Sequence, residues 1–142
     1  MKARLIPPLK ANASPEVVYY AHSMQIYGTS ETAQIRDTIA ALLPEAAILD
    51  PEMLPWKEWA EASSNLAVYQ GVIKACSRVV VYEHQGHVGR GVATEVDIAL
   101  KLGKPVHVLR TIDDAPQLIP VRRWATMNRG DWKVAYAKVF TR

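Results

Sequence analysis

Apolar residues along this chain fall into short unbroken runs separated by stretches of helical period. Val17-Val18-Tyr19-Tyr20-Ala21 and Val79-Val80-Val81-Tyr82 are β-branched and aromatic throughout, as strands covered on both faces require. Ala46 to Leu49 and Val106-His107-Val108-Leu109 are shorter runs of the same kind. Between them the period changes. Ala33, Ile35, Ile39, Leu42 and Leu43 share one helical side behind a cap at Thr29 or Ser30, and Val92, Val96, Ala99 and Leu100 form another stripe. From Pro55 to Ile73, the spacing of Trp56, Trp59, Ala62, Leu66, Tyr69 and Val72 suits one or two helices. Gly103 stands where a left-handed cap would end the helix that begins near Val92.

Strands alternating with helices predict an α/β fold, a three-layer sandwich around a sheet of about five parallel strands in a flavodoxin-like, Rossmann-like order. The chain turns at Asp113-Asp114-Ala115-Pro116, and its last segment, Trp132 to Phe140, suits a helix or a strand. Residues 1–15 hold three prolines and little periodicity, which predicts an extended arm. No repeat or linker divides the rest, so residues 1–142 read as one domain.

The best-defined unit runs from Arg78 to Arg110. A strand leads into Glu83-His84-Gln85-Gly86-His87-Val88-Gly89-Arg90-Gly91, then a helix, then the strand after Lys104-Pro105. A right-handed crossover puts that glycine turn at the carboxyl edge of the sheet, where ligands of open α/β sheets bind. Glu95 lies one turn beyond Gly91, beside Thr94. An acid there complements the helix dipole, while the bare glycines allow a ligand close to the backbone.

Gly89-Arg90-Gly91-Val92-Ala93-Thr94-Glu95, with Ala99 and Gly103-Lys104-Pro105-Val106, resembles the signature of the nucleoside 2-deoxyribosyltransferase superfamily, which includes nucleotide N-glycosidases. Tyr19-Tyr20-Ala21-His22-Ser23 is loosely similar to the end of that family's first strand. The resemblance implies that Glu95 attacks the anomeric carbon of a nucleotide or 2-deoxynucleoside and displaces the base. It gives Tyr19 the role of orienting the nucleophile, with Tyr20 as the neighbouring candidate, since strand alternation lets one of the pair face the site. It also implies a homo-oligomer, dimer or larger, with Pro120 to Asn128 supplying residues to a neighbour's pocket.

The chain departs from that pattern where members carry two aspartates. It reads Leu66-Ala67-Val68-Tyr69-Gln70-Gly71 at one place and Gly86-His87-Val88-Gly89 at the other. A departing base needs a proton, and His87, His84, Tyr69 and Asp50 are the groups in hand to supply it. His22, Ser23, Asp50, Gly89, Arg90, Gly91 and Thr94 are the candidate substrate contacts. The helix start, Arg90 and Ser23 suit a 5′-phosphate. A protein that binds a nucleotide in the same pocket without turnover is the competing reading. A partner-binding surface around Trp124, Trp132 and Arg122-Arg123 is a third.

Composition narrows the picture. A net charge of +3 with scattered basic residues gives little support for a nucleic-acid surface. One cysteine, Cys76, excludes an internal disulfide and suits a reducing compartment. No apolar run nears the roughly twenty residues of a membrane helix, and the first residues lack a secretory apolar core, so the expectation is cytoplasmic. Gly89-Arg90-Gly91 is neither a P-loop nor a full dinucleotide fingerprint, and the dispersed histidines do not suggest a metal, so no cofactor is expected.

Overall fold

Alternation along β1 (Val17–Ala21) sets up the two sides of the molecule. Tyr19 and Ala21 join Val79, Val81 and Val108 in one apolar cluster, and Val18 and Tyr20 join Val80 and Leu109 in the other. Seven of these, Val18 to Ala21 and Val79 to Val81, are fully buried. Each such aliphatic side chain contributes about 1.5–3 kcal/mol through burial. A strand with both faces dry has to be apolar throughout, which is what β1 and β3 (Arg78–Tyr82) are.

The computed structural model describes residues 16–55, 58, 65–127 and 136–142. The expected arm at 1–15, Trp56, Trp59, Trp132 and Asn128 lie outside the described residues. Five strands form the main sheet in the order β2, β1, β3, β5, β6, with β2 spanning Ala47–Leu49, β5 Val106–Ile112 and β6 Ala115–Pro120. β1 pairs in parallel with β2 and β3, and β3 in parallel with β5. The architecture is therefore α/β, with helices on both faces. α1 (Ser30–Leu42) covers the Tyr20 face through Ile35, Ile39 and Leu42. α2 (Asn65–Ala75) and α3 (Arg90–Lys101) cover the Tyr19 face.

The fifth strand corrects the expectation of an all-parallel sheet. β6 pairs antiparallel with β5. Asp113 and Asp114, at φ 52° and 63°, make the two-residue turn between them, and a loop that short can join only antiparallel neighbours. A second correction concerns the glycine segment, which is not all loop. β4 (Val88–Gly89), β8 (Tyr136–Phe140) and β7 (Arg123–Met127) form a separate antiparallel sheet in that order, so the described part of the last segment is strand. Its Val88, Ala137 and Val139 are buried in the same cluster as Val92 and Val96 of α3, tying the small sheet to that helix.

α3 ends as its sequence requires. Gly103, at φ 73°, is left-handed; its N–H donates to the Leu100 carbonyl at 3.1 Å, and that of Lys104 to the Ala99 carbonyl at 2.9 Å. These bonds close the helix and aim the chain into β5. No helix among the described residues is long and apolar enough to cross a membrane.

Candidate functional site

Both central strands, β1 and β3, end at the same carboxyl edge, and the chain leaves them toward opposite faces, to α1 and to α3. Gly89 is the N-cap of α3 and has no side chain to cap it, so the first N–H groups of the helix depend on something else for partners. Neither Gly89 nor Gly91 has positive φ. A Cβ on Gly91 would meet nothing within 4 Å, and one on Gly89 would meet only the Ser23 Oγ at 3.7 Å among the described residues. Neither backbone strain nor packing among the described residues demands a glycine at these two places. Their bareness leaves the backbone open from outside.

Glu95 lies on the inner side of α3 and is 5% exposed. The Tyr19 hydroxyl, itself fully buried, donates a hydrogen bond to its Oε2. Burial pushes the Glu95 carboxyl up to about 8, against the opposing pull of the Tyr19 bond. The Tyr19 phenol is driven well above its ordinary range, first by burial and then by the charge of Glu95. Tyr27 and Tyr69 are also raised, each by burial and then by Glu95, so three phenols lie within the field of one carboxyl. Tyr20 points to the opposite face, where its hydroxyl donates to the Thr32 carbonyl at 3.2 Å.

His22 and Asp50 form a different assembly. The His22 Nδ1–H donates to the Tyr20 carbonyl at 3.0 Å, which fixes the tautomer and leaves Nε2 to face the Thr32 hydroxyl at 3.2 Å and the Asp50 Oδ1 at 3.7 Å. Its ring stacks on Tyr20 with centroids 4.0 Å apart and tilts against Tyr27 at 4.9 Å. Burial lowers the His22 pKa, so the ring is neutral. Asp50 accepts from Arg36 Nη1 at 2.7 Å and caps the short turn Pro51–Met53 through the Glu52 N–H at 3.0 Å. Both its oxygens are engaged, and the assembly braces the loop that carries Tyr27.

The remaining predicted residues sit around α3's start. Ser23 is half-buried beside Gly89, and Arg90 is exposed. The Thr94 hydroxyl donates to the Arg90 carbonyl at 3.0 Å, back into its own helix. His87 is half-buried in the hairpin before β4, its backbone paired with that of His84 in both directions, at 3.0 and 3.2 Å. The hydrogen bond that defines Glu95 is to Tyr19. The fold thus brings Glu95 and Tyr19 together directly and holds the glycine turn and Ser23 at the same edge, while His22 and Asp50 lie 3.7 Å apart in a separate assembly with Tyr20, Thr32 and Arg36.

Two members of the site escaped the sequence pattern. Tyr27 reads as an ordinary loop residue, and the contact of its ring with His22 has no signal in the local sequence. Arg36 lies on a helix 14 residues from Asp50, a separation with no local signal. Among the described residues no group of three or more His, Cys, Asp or Glu could hold a metal ion.

No protein-family profile matches this chain, and no curated protein matches it.

Proposed function

We propose that the chain cleaves or transfers the N-glycosidic bond of a nucleotide or 2-deoxynucleoside, with Glu95 as nucleophile and Tyr19 orienting it. The buried Glu95 carboxyl, bonded to Tyr19 beside a glycine turn with open space around it, carries this reading. A carboxylate held under the anomeric carbon stabilises an oxocarbenium-like state and can form a glycosyl ester. Perturbed titration at the carboxyl edge of an α/β sheet marks functional carboxyls. The resemblance of residues 89–95 to deoxyribosyltransferases and nucleotide N-glycosidases points the same way.

The parallel order β2, β1, β3, β5, followed by an antiparallel strand in the last place, supports a flavodoxin-like reading of the sheet. In such a sheet the uncapped start of α3, with Arg90 and Ser23 nearby, favours a 5′-phosphate over an uncharged nucleoside. The family likeness further suggests a homo-oligomer with Pro120 to Asn128 near a neighbour's pocket, acting on a small molecule, and the single cysteine suits a reducing, cytoplasmic compartment.

A second reading is nucleotide binding without turnover. Two observations favour it: the aspartates missing from Leu66 to Gly71 and from Gly86 to Gly89, and a Glu95 that is mostly protonated at pH 7. A neutral carboxyl donates a hydrogen bond to a ligand but does not attack carbon.

Incubating the pure protein with a panel of 2′-deoxynucleosides and their 5′-monophosphates, and separating free base by chromatography, decides between the two. The expected result is base release, faster from monophosphates and rising with pH toward about 8 as Glu95 ionises. Saturable binding of a monophosphate with no base released would leave only the second reading.

A further inference from the structure

Across the sheet from Glu95, the first turn of α1 places Glu31 against the end of β3. The Tyr82 hydroxyl donates to Glu31 Oε2, and His84 Nδ1 lies 3.1 Å from the same oxygen. A carboxylate only accepts, so Nδ1 carries the hydrogen and the ring is set in one orientation. Tyr82 first, then His84, holds the Glu31 carboxyl below its usual range, so it stays an anion. His84 Nε2 has no partner among the described residues, and the side chain is 27% exposed.

The backbone under His84 is equally fixed. Gln85 and Gly86, at φ 56° and 81°, form a tight turn closed by the two His84–His87 bonds. Beside it, Tyr82 and Gly86 share a cavity of about 500 Å³ with Ile35, Leu109, Arg110 and Thr111. That volume lies within the ordinary range for small-molecule sites. Its lining is nearly as polar as apolar, with Glu83, Arg110 and Thr111 beside Tyr82, Ile35 and Leu109, which suits a flat heterocycle that carries hydrogen-bonding groups.

Resting on the glycosidic reading above, we propose that His84, oriented by Glu31, is the group that protonates the departing base. A nucleoside laid across the ends of β1 and β3 puts its sugar on the Glu95 side and its base on the His84 side, where α1 and α3 diverge. The Glu95 carboxylate bonds to the anomeric carbon. The C–N bond breaks with its electron pair going to the base nitrogen, and the His84 Nε2–H delivers its proton there. In the second half, neutral His84 takes a proton from the water that attacks the anomeric carbon, which frees the sugar and restores the Glu95 carboxylate. His84 thereby stands in for the aspartates this chain lacks, and Glu31 is its positioning residue.

The test compares two leaving groups. An ordinary 2′-deoxynucleoside 5′-monophosphate must have its base protonated as it leaves, whereas a 7-methylpurine counterpart already carries a positive charge and departs neutral. His84→Asn keeps a donor toward Glu31 and loses the transferable proton. Measured in a single turnover with protein in excess, so that the His84-assisted attack of water does not enter, base release from the ordinary substrate should fall about 10²–10⁴-fold, the usual worth of a general acid, with release from the 7-methylpurine substrate changed less than about threefold. Equal losses on both substrates, or no loss on either, would overturn the role of His84 while Glu95-dependent release in the parent protein upheld the glycosidic reading. Absence of release from both substrates in the parent protein would remove that reading and this one with it. His84→Gln, checked by its unfolding curve, gives the same contrast should the asparagine variant fail to fold.

Discussion

Under the proposed glycosidic reaction, Glu95→Gln is expected to lower free-base release by at least about 10³-fold while the protein keeps its fold and its monophosphate affinity within a few-fold. The size follows from the role. An amide cannot form the glycosyl ester or match the positive charge that grows on the sugar ring. The fold should survive because the carboxyl is buried and, with its pKa raised to about 8, mostly neutral at pH 7, so Gln replaces a neutral group of the same shape. The companion variant Tyr19→Phe removes the bond that pulls the Glu95 pKa down, so the rising limb of kcat/KM against pH moves to higher pH. Stopped base-release assays across pH 5 to 9 check both. Turnover by Glu95→Gln at the parent rate would exclude the carboxyl from the chemistry.

The second large effect is on stability. Glu95 has an ordinary pKa of 4.5 in the unfolded chain and one of about 8 in the folded protein. Between those values the native state holds a proton that the unfolded state has released. Its contribution is present in full below pH 4.5 and is lost as pH rises to about 8, at about 1.4 kcal/mol per pH unit at most. The loss over the whole window is on the order of a few kcal/mol. Glu95→Gln has nothing to titrate there. His22 contributes with the opposite sign, because burial lowers its pKa and folding is penalised as pH falls below the ordinary histidine range, but it is present in both proteins. The difference in unfolding free energy between Glu95→Gln and the parent should therefore move in the variant's favour from pH 5 to 8 and then level off. Urea unfolding at four pH values measures it, and a constant difference would mean that Glu95 titrates like a solvated carboxyl.

Much of this site is legible in the residues because both halves of it obey a local period. Alternation in Val17 to Ala21 separates Tyr19 from Tyr20, and the stripe through Val92, Val96 and Ala99 carries Glu95 to the same side. Gly103 announces the end of α3 by the left-handed turn it adopts. What stays hidden is whatever depends on distant pairing. The Tyr19–Glu95 bond joins residues 76 apart, and no spacing rule says that the two meet. β4 is two residues long and is defined by Ala137 and Tyr136, far down the chain, so Val88 and Gly89 read as loop. The antiparallel edge turns on an Asp-Asp pair, which lacks the glycine that usually marks a hairpin of this kind. Asp50 illustrates the same limit from the other side. Its place at the carboxyl edge suggests a ligand contact, yet Arg36 and the Glu52 N–H take up its oxygens.

The most direct measurement is the mass of the protein after reaction with a 2-deoxy-2-fluoro nucleoside monophosphate. The fluorine destabilises the oxocarbenium-like state and slows hydrolysis of any glycosyl ester, so the intermediate accumulates. The expected product carries one added fluorosugar phosphate per chain, mapped by peptide sequencing to Glu95 and absent from Glu95→Gln. Stoichiometric base release with the label on a different side chain, or with the same labelling in Glu95→Gln, would contradict it.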